Sequence, residues 1–407
     1  MNQTSIKSPG FQYTWVLALV LVSCNGNLKF LKDEDDPINI TLDPDINRTH
    51  DVFDIIQNIS WHPVNLEGKA HEIASSIVRS RYDAGFHFFQ TTEGLIMVVD
   101  SQGNLCHTID VMDVVPELEE ITDFDVHPVS HYIYLYDFFK QRFFILDREG
   151  HFIRISNVGY NFKSFALLTN DHLVIYTAKH TNKIDDQVIN SDILLLDSNY
   201  QIVLNALHFN SDTHHEFRIH PTNPFFKNHN QVFFRDLFLD ATYSFNFHSM
   251  EQEIRYNYKN GTVDQEFKSQ DHLQLLESMT PSHPKLRKVD FLAQTQAITE
   301  SHILSSYVHH GQRMIYNSLH ASNGRQTNFV FENEELETTH RHIFEPIAVS
   351  GLTLFSLINK DDLTYLLNEW IQLHDDVQSQ KFEELLNCDI EDYHSNSSII
   401  LSYQLRV

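Results

Sequence analysis

Glycine is scarce in this chain of 407 residues, with 12 in all, and cysteine is scarcer still, with three. Each shortage excludes a class of chemistry. There is no Gly-x-Gly-x-x-Gly and no Gly-x-x-x-x-Gly-Lys run, so no loop is built to wrap a phosphate. Three cysteines without a Cys-x-x-Cys pair make neither a disulfide framework nor a zinc ribbon. His-Glu-x-x-His and Gly-x-Ser-x-Gly are absent as well, which removes the sequence signatures of helix-borne zinc peptidases and of serine hydrolases with a nucleophile elbow. Basic residues are few: 29 Lys and Arg stand against 55 Asp and Glu, a formal charge of −26 that repels phosphate backbones, so no nucleic-acid partner is expected. Long apolar runs are missing too. The longest near the start, Trp15 to Val22, has eight residues, whereas a helix spanning a bilayer needs about 20.

Apolar side chains are present in quantity. Hydrophobic residues make up 42% of the chain, with 30 Phe and 16 Tyr, enough for a large packed core. From about residue 90 they fall into short β-rich runs separated by turn residues. Leu95 to Asp100 and Leu105 to Asp110 flank Ser101-Gln102-Gly103-Asn104, where Asp100 can bond the turn backbone and Gly103 can take a positive φ. The device recurs at Asp147, before Arg148-Glu149-Gly150-His151, and at Asp197, before Ser198-Asn199-Tyr200, where Asn199 is expected to stand in for glycine. Spacings of 47 and 50 residues between these aspartates fit four-stranded propeller blades. Asn260-Gly261 and Asn323-Gly324 read as two further hairpin turns. A sixth sheet can be assembled from Phe344 to Ile358, Ser398 to Leu405 and an early strand between Asp51 and Leu66, which would close the ring by pairing the two ends. The expected fold is all-β: a six-bladed β-propeller over 51–407, with a helical insertion about 361–387 before the last strand. That insertion follows from Leu363, Leu366, Leu367, Trp370, Ile371 and Val377 at helical spacing, a stripe expected to pack on its own domain.

The first 23 residues, whose only charge is Lys7, have the layout of an export signal. The signal ends in Leu21-Val22-Ser23-Cys24, small residues ahead of a cysteine, as in the lipobox of bacterial lipoproteins. Acyl chains on Cys24 would tether the protein to a membrane. The stretch 24–50, with Lys32-Asp33-Glu34-Asp35-Asp36, is expected to be a lipidated N-terminus and flexible acidic stalk. Cys106 and Cys388 remain; an oxidising compartment permits a bridge between them, but their spacing does not require one.

The lipobox, the acidic stalk, Val64-Asn65-Leu66-Glu67, the marked hairpins and the ending Ser398-Ile399-Ile400-Leu401-Ser402-Tyr403-Gln404-Leu405 together resemble the six-bladed β-propeller lipoproteins of Bacteroidota. The resemblance spans essentially the whole mature chain and implies an outer-membrane lipoprotein, periplasmic or surface-exposed. It implies no chemistry. Many members carry a Gly-Pro-rich loop after the first blade, whereas here Val111 to Glu120 has no glycine.

Twenty-six histidines raise the question of metal. They cluster at His214-His215 with His220, at His309-His310 and at His340-Arg341-His342; on a strand, His340 and His342 would face one side. No third ligand is evident from spacing, so neither a metal site nor a cofactor is expected. Asp123 and Asp125 lie on one side of a short run beside His127 and could face the central channel, although aspartates at such spacing more often stabilise turns. Phe138-Phe139, Phe143-Phe144, Phe225-Phe226 and Phe233-Phe234 read as filling between blades rather than as a stacking platform. No catalytic set emerges. The expected function is a lipid-anchored, non-enzymatic scaffold that binds a glycan, a peptide or an envelope protein; the alternative is a channel-centred, metal-assisted hydrolase or lyase.

Overall fold

The computed structural model describes residues 36–64, 77–184, 186–209, 223–236, 239–263, 286–310, 313–331, 341, 343–373 and 398–406. The expectations placed on the signal segment, Cys24, the charged run as far as Asp35, and Cys388 fall outside these residues.

Period-two patterning decides the architecture. In the strand Arg142–Leu146, Phe144 and Leu146 face one way, packing with Phe88, Val98 and Phe124, while Phe143 and Ile145 face the other, packing with Phe165, Leu173 and Leu194. A sheet apolar on both faces must be covered on both. Each blade therefore lies between two neighbours, and six apolar clusters fill the six gaps of a closed ring.

The fold is a six-bladed β-propeller. Blade 1 comprises Ile77–Asp83, Phe86–Thr91, Leu95–Asp100 and Leu105–Asp110, and blade 2 comprises Asp123–Val126, Ile133–Asp137, Arg142–Leu146 and Phe152–Asn157. Blade 3 has Ser164–Leu167, Leu173–Tyr176, Ser191–Leu196 and Ile202–His208, with a small hairpin, Asn182–Ile184 and Gln187–Ile189, between its second and third strands. Phe225–Asn228, Gln231–Arg235, Ala241–Phe245 and Met250–Tyr258 make blade 4; Asp290–Ile298, His302–His309, Arg313–His320 and Gln326–Val330 make blade 5. The first strands of blades 1, 2, 3, 4 and 6 touch in succession around the axis, blade 6 meeting both blade 4 and blade 1, while the first strand of blade 5 packs on the outer strands of blade 4. Blade 6 joins the two ends of the chain as expected. Its strands are Ala348–Ser350, Thr353–Asn359, Ser398–Leu405 and, outermost, Ile56–Pro63, whose antiparallel register pairs His62 with Ile400 and Trp61 with Leu401.

The stalk expected over 24–50 ends earlier than the charged run suggested. Ile38–Leu42 is a fifth strand on blade 4, parallel to Met250–Tyr258, and Arg48–Thr49 adds to blade 5 before the chain enters blade 6. Alternation explains this: Ile38, Ile40 and Leu42 are buried while Asn39 and Thr41 face out, and each buried side chain contributes about 1.5–3 kcal/mol. That gain outweighs the tendency of the acidic residues beside it to stay solvated.

The three aspartate turns form as read. Asp100 Oδ1 accepts from the amides of Gln102 and Asn104 at 2.9 Å each, Asp147 Oδ1 from that of His151 at 2.7 Å, and Asp197 Oδ1 from those of Asn199 and Gln201 at 2.8 Å each. All three join the third and fourth strands of a blade. Two details differ from expectation. Tyr200, not Asn199, occupies the glycine position, with φ of 62°. Asn260-Gly261 lies beyond the outer strand of blade 4, on the way to blade 5, and the corresponding turn of blade 4 is Asn246 to Ser249: Asn246 Oδ1 accepts from His248 and Ser249 amides at 2.9 and 2.8 Å.

The helix runs Lys360–Leu373, its start capped by Asn359, and Leu363, Leu366 and Leu367 pack on blade 6 against Phe344, Leu354 and Leu401, as the stripe implies. The remainder of the expected insertion, 374–387, is outside the described residues.

Candidate functional site

A cavity of about 730 Å³ opens along the axis, lined by residues of all the inner strands and by the approach to blade 6. Its floor is a charge network. Asp123 and Asp125, two apart on the inner strand of blade 2, project to one side. Both reach blade 3: Asp123 Oδ2 accepts from Phe165 N at 3.0 Å and Ser164 Oγ at 2.5 Å, and Asp125 Oδ2 from Leu167 N at 2.7 Å. The amides on the axis-facing edge of that strand would otherwise be buried without acceptors.

Buried carboxylates need positive partners, and three come from other blades. Arg81 of blade 1 places Nη2 at 2.9 Å from Asp123 Oδ1 and Nε at 3.6 Å from Asp125 Oδ1; Arg79 adds its Nε at 3.3 Å from Asp123. Lys227 of blade 4 brings Nζ to 2.5 Å from Asp125 Oδ2. Asp125 thus borders the cavity, as sequence allowed, whereas Asp123 is fully buried outside its lining. They serve there as clamps between blades, engaged by amides and cations rather than held open for proton transfer. His127 does not join them. Its Nδ1 accepts from the amides of Val129 and Ser130, its Nε2 lies 3.0 Å from Asp171, and burial lowers its pKa against the pull of that carboxylate.

That pairing is one of a set at the end of the ring bearing the aspartate turns. Asp83 of blade 1 meets His131 of blade 2 at 2.6 Å, His127 of blade 2 meets Asp171 of blade 3, and His229 of blade 4 meets Glu300 of blade 5 at 3.1 Å. Blades 5 and 6 are joined at the same end by Glu300 N to Gly351 O at 3.2 Å, and blades 4 and 6 by Gly351 N to Asn228 Oδ1, also 3.2 Å. Part of the high histidine count is therefore spent on fastening neighbouring inner turns.

Of the histidine clusters singled out from sequence, His214, His215, His220, His340 and His342 are outside the described residues. His309 and His310 come together with Asp290, their ligand atoms within 4.8 Å of one another. Asp290 is fully buried and bonded to His309 Nδ1 at 2.7 Å, and the two imidazoles stack at 3.8 Å. This group is not on the cavity wall. Cys106 is exposed. Phe143, Phe144, Phe233 and Phe234 fill the gaps between blades as expected, and Phe139 is exposed; Phe225 and Phe226 also border the cavity.

Sequence reading missed the cationic half of the site. Arg79-x-Arg81 was legible as a same-face pair on a strand, complementary to Asp123-x-Asp125. Nothing near Lys227 or Arg235 sets them apart. Arg235, last residue of its strand, lies over the Phe226 ring, 5.6 Å from its centroid, and its Nη1 donates to Thr295 O at 2.6 Å and Gln296 Oε1 at 2.9 Å. Arg341 Nε donates to Glu345 Oε1 at 2.8 Å on the same wall.

No family model matches the chain, and no curated protein does. Solved structures do. One is a protein described as exported, from Bacteroides fragilis NCTC 9343, with a TM-score of 0.65 and 13% identity, covering 91% of this chain and 100% of that one. A DUF4221 family member from Bacteroides vulgatus gives 0.47 at 10% identity, over 86% of this chain and 98% of its own. A streptogramin B lyase gives 0.33 at 10%, over 74% and 80%. The first establishes a shared propeller fold, and the others are too distant to add to it.

Proposed function

We propose that this protein is an exported, lipid-tethered propeller of the bacterial cell envelope that binds a ligand in its axial cavity without transforming it. The observation that carries the reading is the cavity itself: a concave site of small-molecule size held by a network whose carboxylates are already engaged. A rigid ring with a preformed pocket is suited to binding, whereas catalysis would need a nucleophile or base left free to act. Export and the tether rest on the layout of residues 1–24 and on likeness in fold to an exported Bacteroides protein. Among the described residues no helix is long and apolar enough to cross a membrane, so a lipid on Cys24 would supply the attachment. The test is direct. The chain from Asn25 onward is immobilised and screened against arrays of glycans and short peptides, beside a Phe226→Ala variant of equal thermal stability. Saturable binding lost in the variant supports the reading; binding that the variant retains places the ligand elsewhere and overturns it. Labelling cells with an alkyne fatty acid, with Cys24→Ser as control, tests the tether.

A further inference from the structure

We infer that the axial cavity receives an anionic ligand, a carboxylate or similar oxyanion carried on an apolar or flat body, and that Arg235 is the group that holds its charge. This deepens the binding role proposed above and rests on it.

Charge balance is the first argument. Over the whole chain acidic residues outnumber basic ones 55 to 29, yet the cavity wall presents Arg81, Lys227, Arg235 and Arg341 against Asp83, Asp125 and Glu345. Asp83 is taken by His131 and Asp125 by Lys227 and Arg81. Glu345 is the acid whose charge Arg235 feels, and its Oε1 already accepts from Arg341 Nε at 2.8 Å and Tyr316 Oη at 3.3 Å. Among the described residues, this end of the cavity carries one positive charge more than it has negative partners.

The second argument is the unfinished hydrogen bonding of Arg235. Only Nη1 is committed, to Thr295 O and Gln296 Oε1. Nε has no partner but is closed off from the cavity, and among the described residues Nη2 makes no hydrogen bond. Nη2 can give a charge-assisted hydrogen bond to a carboxylate oxygen. Burial lowers Arg235 to about 10, which leaves it fully charged at neutral pH. Held by Nη1 and backed by Phe226, the guanidinium is fixed in place on the cavity wall before any ligand arrives.

The rest of the wall describes the body of that ligand. Phe226, Met314, Ile347 and Val349 supply apolar surface beside the charges. A volume of about 730 Å³ lies within the roughly 300–1,000 Å³ of small-molecule sites. Extended polyanions are disfavoured by the −26 charge of the chain, so a compact anion fits best.

Matched acids and amides decide the matter. The chain from Asn25 onward is titrated calorimetrically with N-acetylphenylalanine, octanoate and galacturonate, each beside its neutral carboxamide, and with inorganic phosphate. At least one acid should bind tenfold or more tightly than its amide. Arg235→Gln should abolish that preference, and Arg235→Lys, which keeps the charge, should recover part of it. Phosphate binding with the same dependence on Arg235 supports an oxyanion site of broader taste. Acids and amides that bind equally, with both lost in Phe226→Ala, would sink the anion assignment and leave the ligand-binding role standing. No acid preferred over its amide, with no loss in Phe226→Ala, overturns both. The acid–amide comparison needs only the unaltered protein, so an unstable Arg235 variant does not block it.

Discussion

Lys227 of blade 4 crosses the channel to Asp125 of blade 2, Nζ to Oδ2 at 2.5 Å, and the same oxygen accepts from the Leu167 amide of blade 3 at 2.7 Å. One carboxylate atom thus ties three blades together beside the axis. In a ring that is closed at its rim by chain-end pairing, this is closure at the hub. Hub contacts fix the spacing of the inner strands, and that spacing sets the cavity in which the ligand is proposed to sit.

Asp125→Ala should therefore destabilise the protein as a whole. It strands a buried amide and leaves Lys227 without its carboxylate, with Asp123 alone to balance Arg79 and Arg81. Removing one member of a buried pair typically costs about 3–5 kcal/mol; Lys227 keeps some solvent, so about 3 is expected here. Urea unfolding of the soluble chain measures it, and a loss under about 1 kcal/mol would contradict the clamp.

Acid should loosen the ring well before its carboxylates titrate. His87 is completely buried among Tyr82, Phe89 and Phe355, and burial holds it down to about 4; His302 is likewise held to about 4, by burial first and by His320 second. The unfolded chain protonates both near 6.5, while the native one resists until about 4. Stability is thus complete above pH 6.5 and falls as pH drops from there toward 4, by up to about 3 kcal/mol for each histidine. His87→Phe should flatten roughly half of that dependence. Thermal unfolding midpoints followed between pH 7.5 and 4.5 provide the check, and an unchanged slope in the variant would refute it.

How far the sequence revealed this molecule depends on the kind of signal involved. Blade spacing was legible because Asp100, Asp147 and Asp197 each perform the same local task, bonding amides a few residues ahead, and local tasks leave local signatures. Closure was legible because the terminal run Ser398–Leu405 and an early strand between Asp51 and Leu66 were left over once the other blades were counted. The fourth aspartate-type turn escaped because an asparagine, Asn246, does the work, and the Asn-Gly dipeptide downstream drew attention away from it. The cavity was half legible. Asp123 and Asp125 announce themselves by spacing, but their partners lie far along the chain, Arg81 42 residues from Asp123 and Lys227 102 residues from Asp125, so only the fold brings them together. Arg235 has no local mark at all, since its meaning lies in what it fails to bond.

The early strand offers a sharper test of the ring's boundary. If Ile38–Leu42 belongs to blade 4, Ile40→Ala removes a fully buried side chain and should cost about 2–4 kcal/mol, the range for such truncations in cores. A solvated stalk would lose nothing. Thr41→Ala, on the exposed side of the same strand, should change stability by less than about 0.5 kcal/mol. Equal effects at the two positions, read by chemical denaturation, would place the segment off the ring.

The choice of asparagine at position 246 has a physical cause that can be measured. Asn246 Oδ1 takes the amides two and three residues ahead, where aspartate in blades 1 and 3 takes those two and four ahead, while its Nδ2 donates to Ser249 Oγ at 2.5 Å and Glu251 Oε1 at 3.0 Å. Aspartate here would keep the first pair of bonds, lose the donor, and set a second negative charge beside Glu251. Asn246→Asp should accordingly lower stability at pH 7 by about 0.5–1 kcal/mol, and Asn246→Ala, which loses both sets of bonds, by about 1–2. Adding Glu251→Gln to Asn246→Asp removes the opposing charge and should return most of the loss, whereas added to Asn246→Ala it should return none. A double-mutant cycle on unfolding free energies separates these outcomes. Without coupling between 246 and 251, the asparagine would have to be explained by the turn alone, where aspartate serves equally well in the other blades.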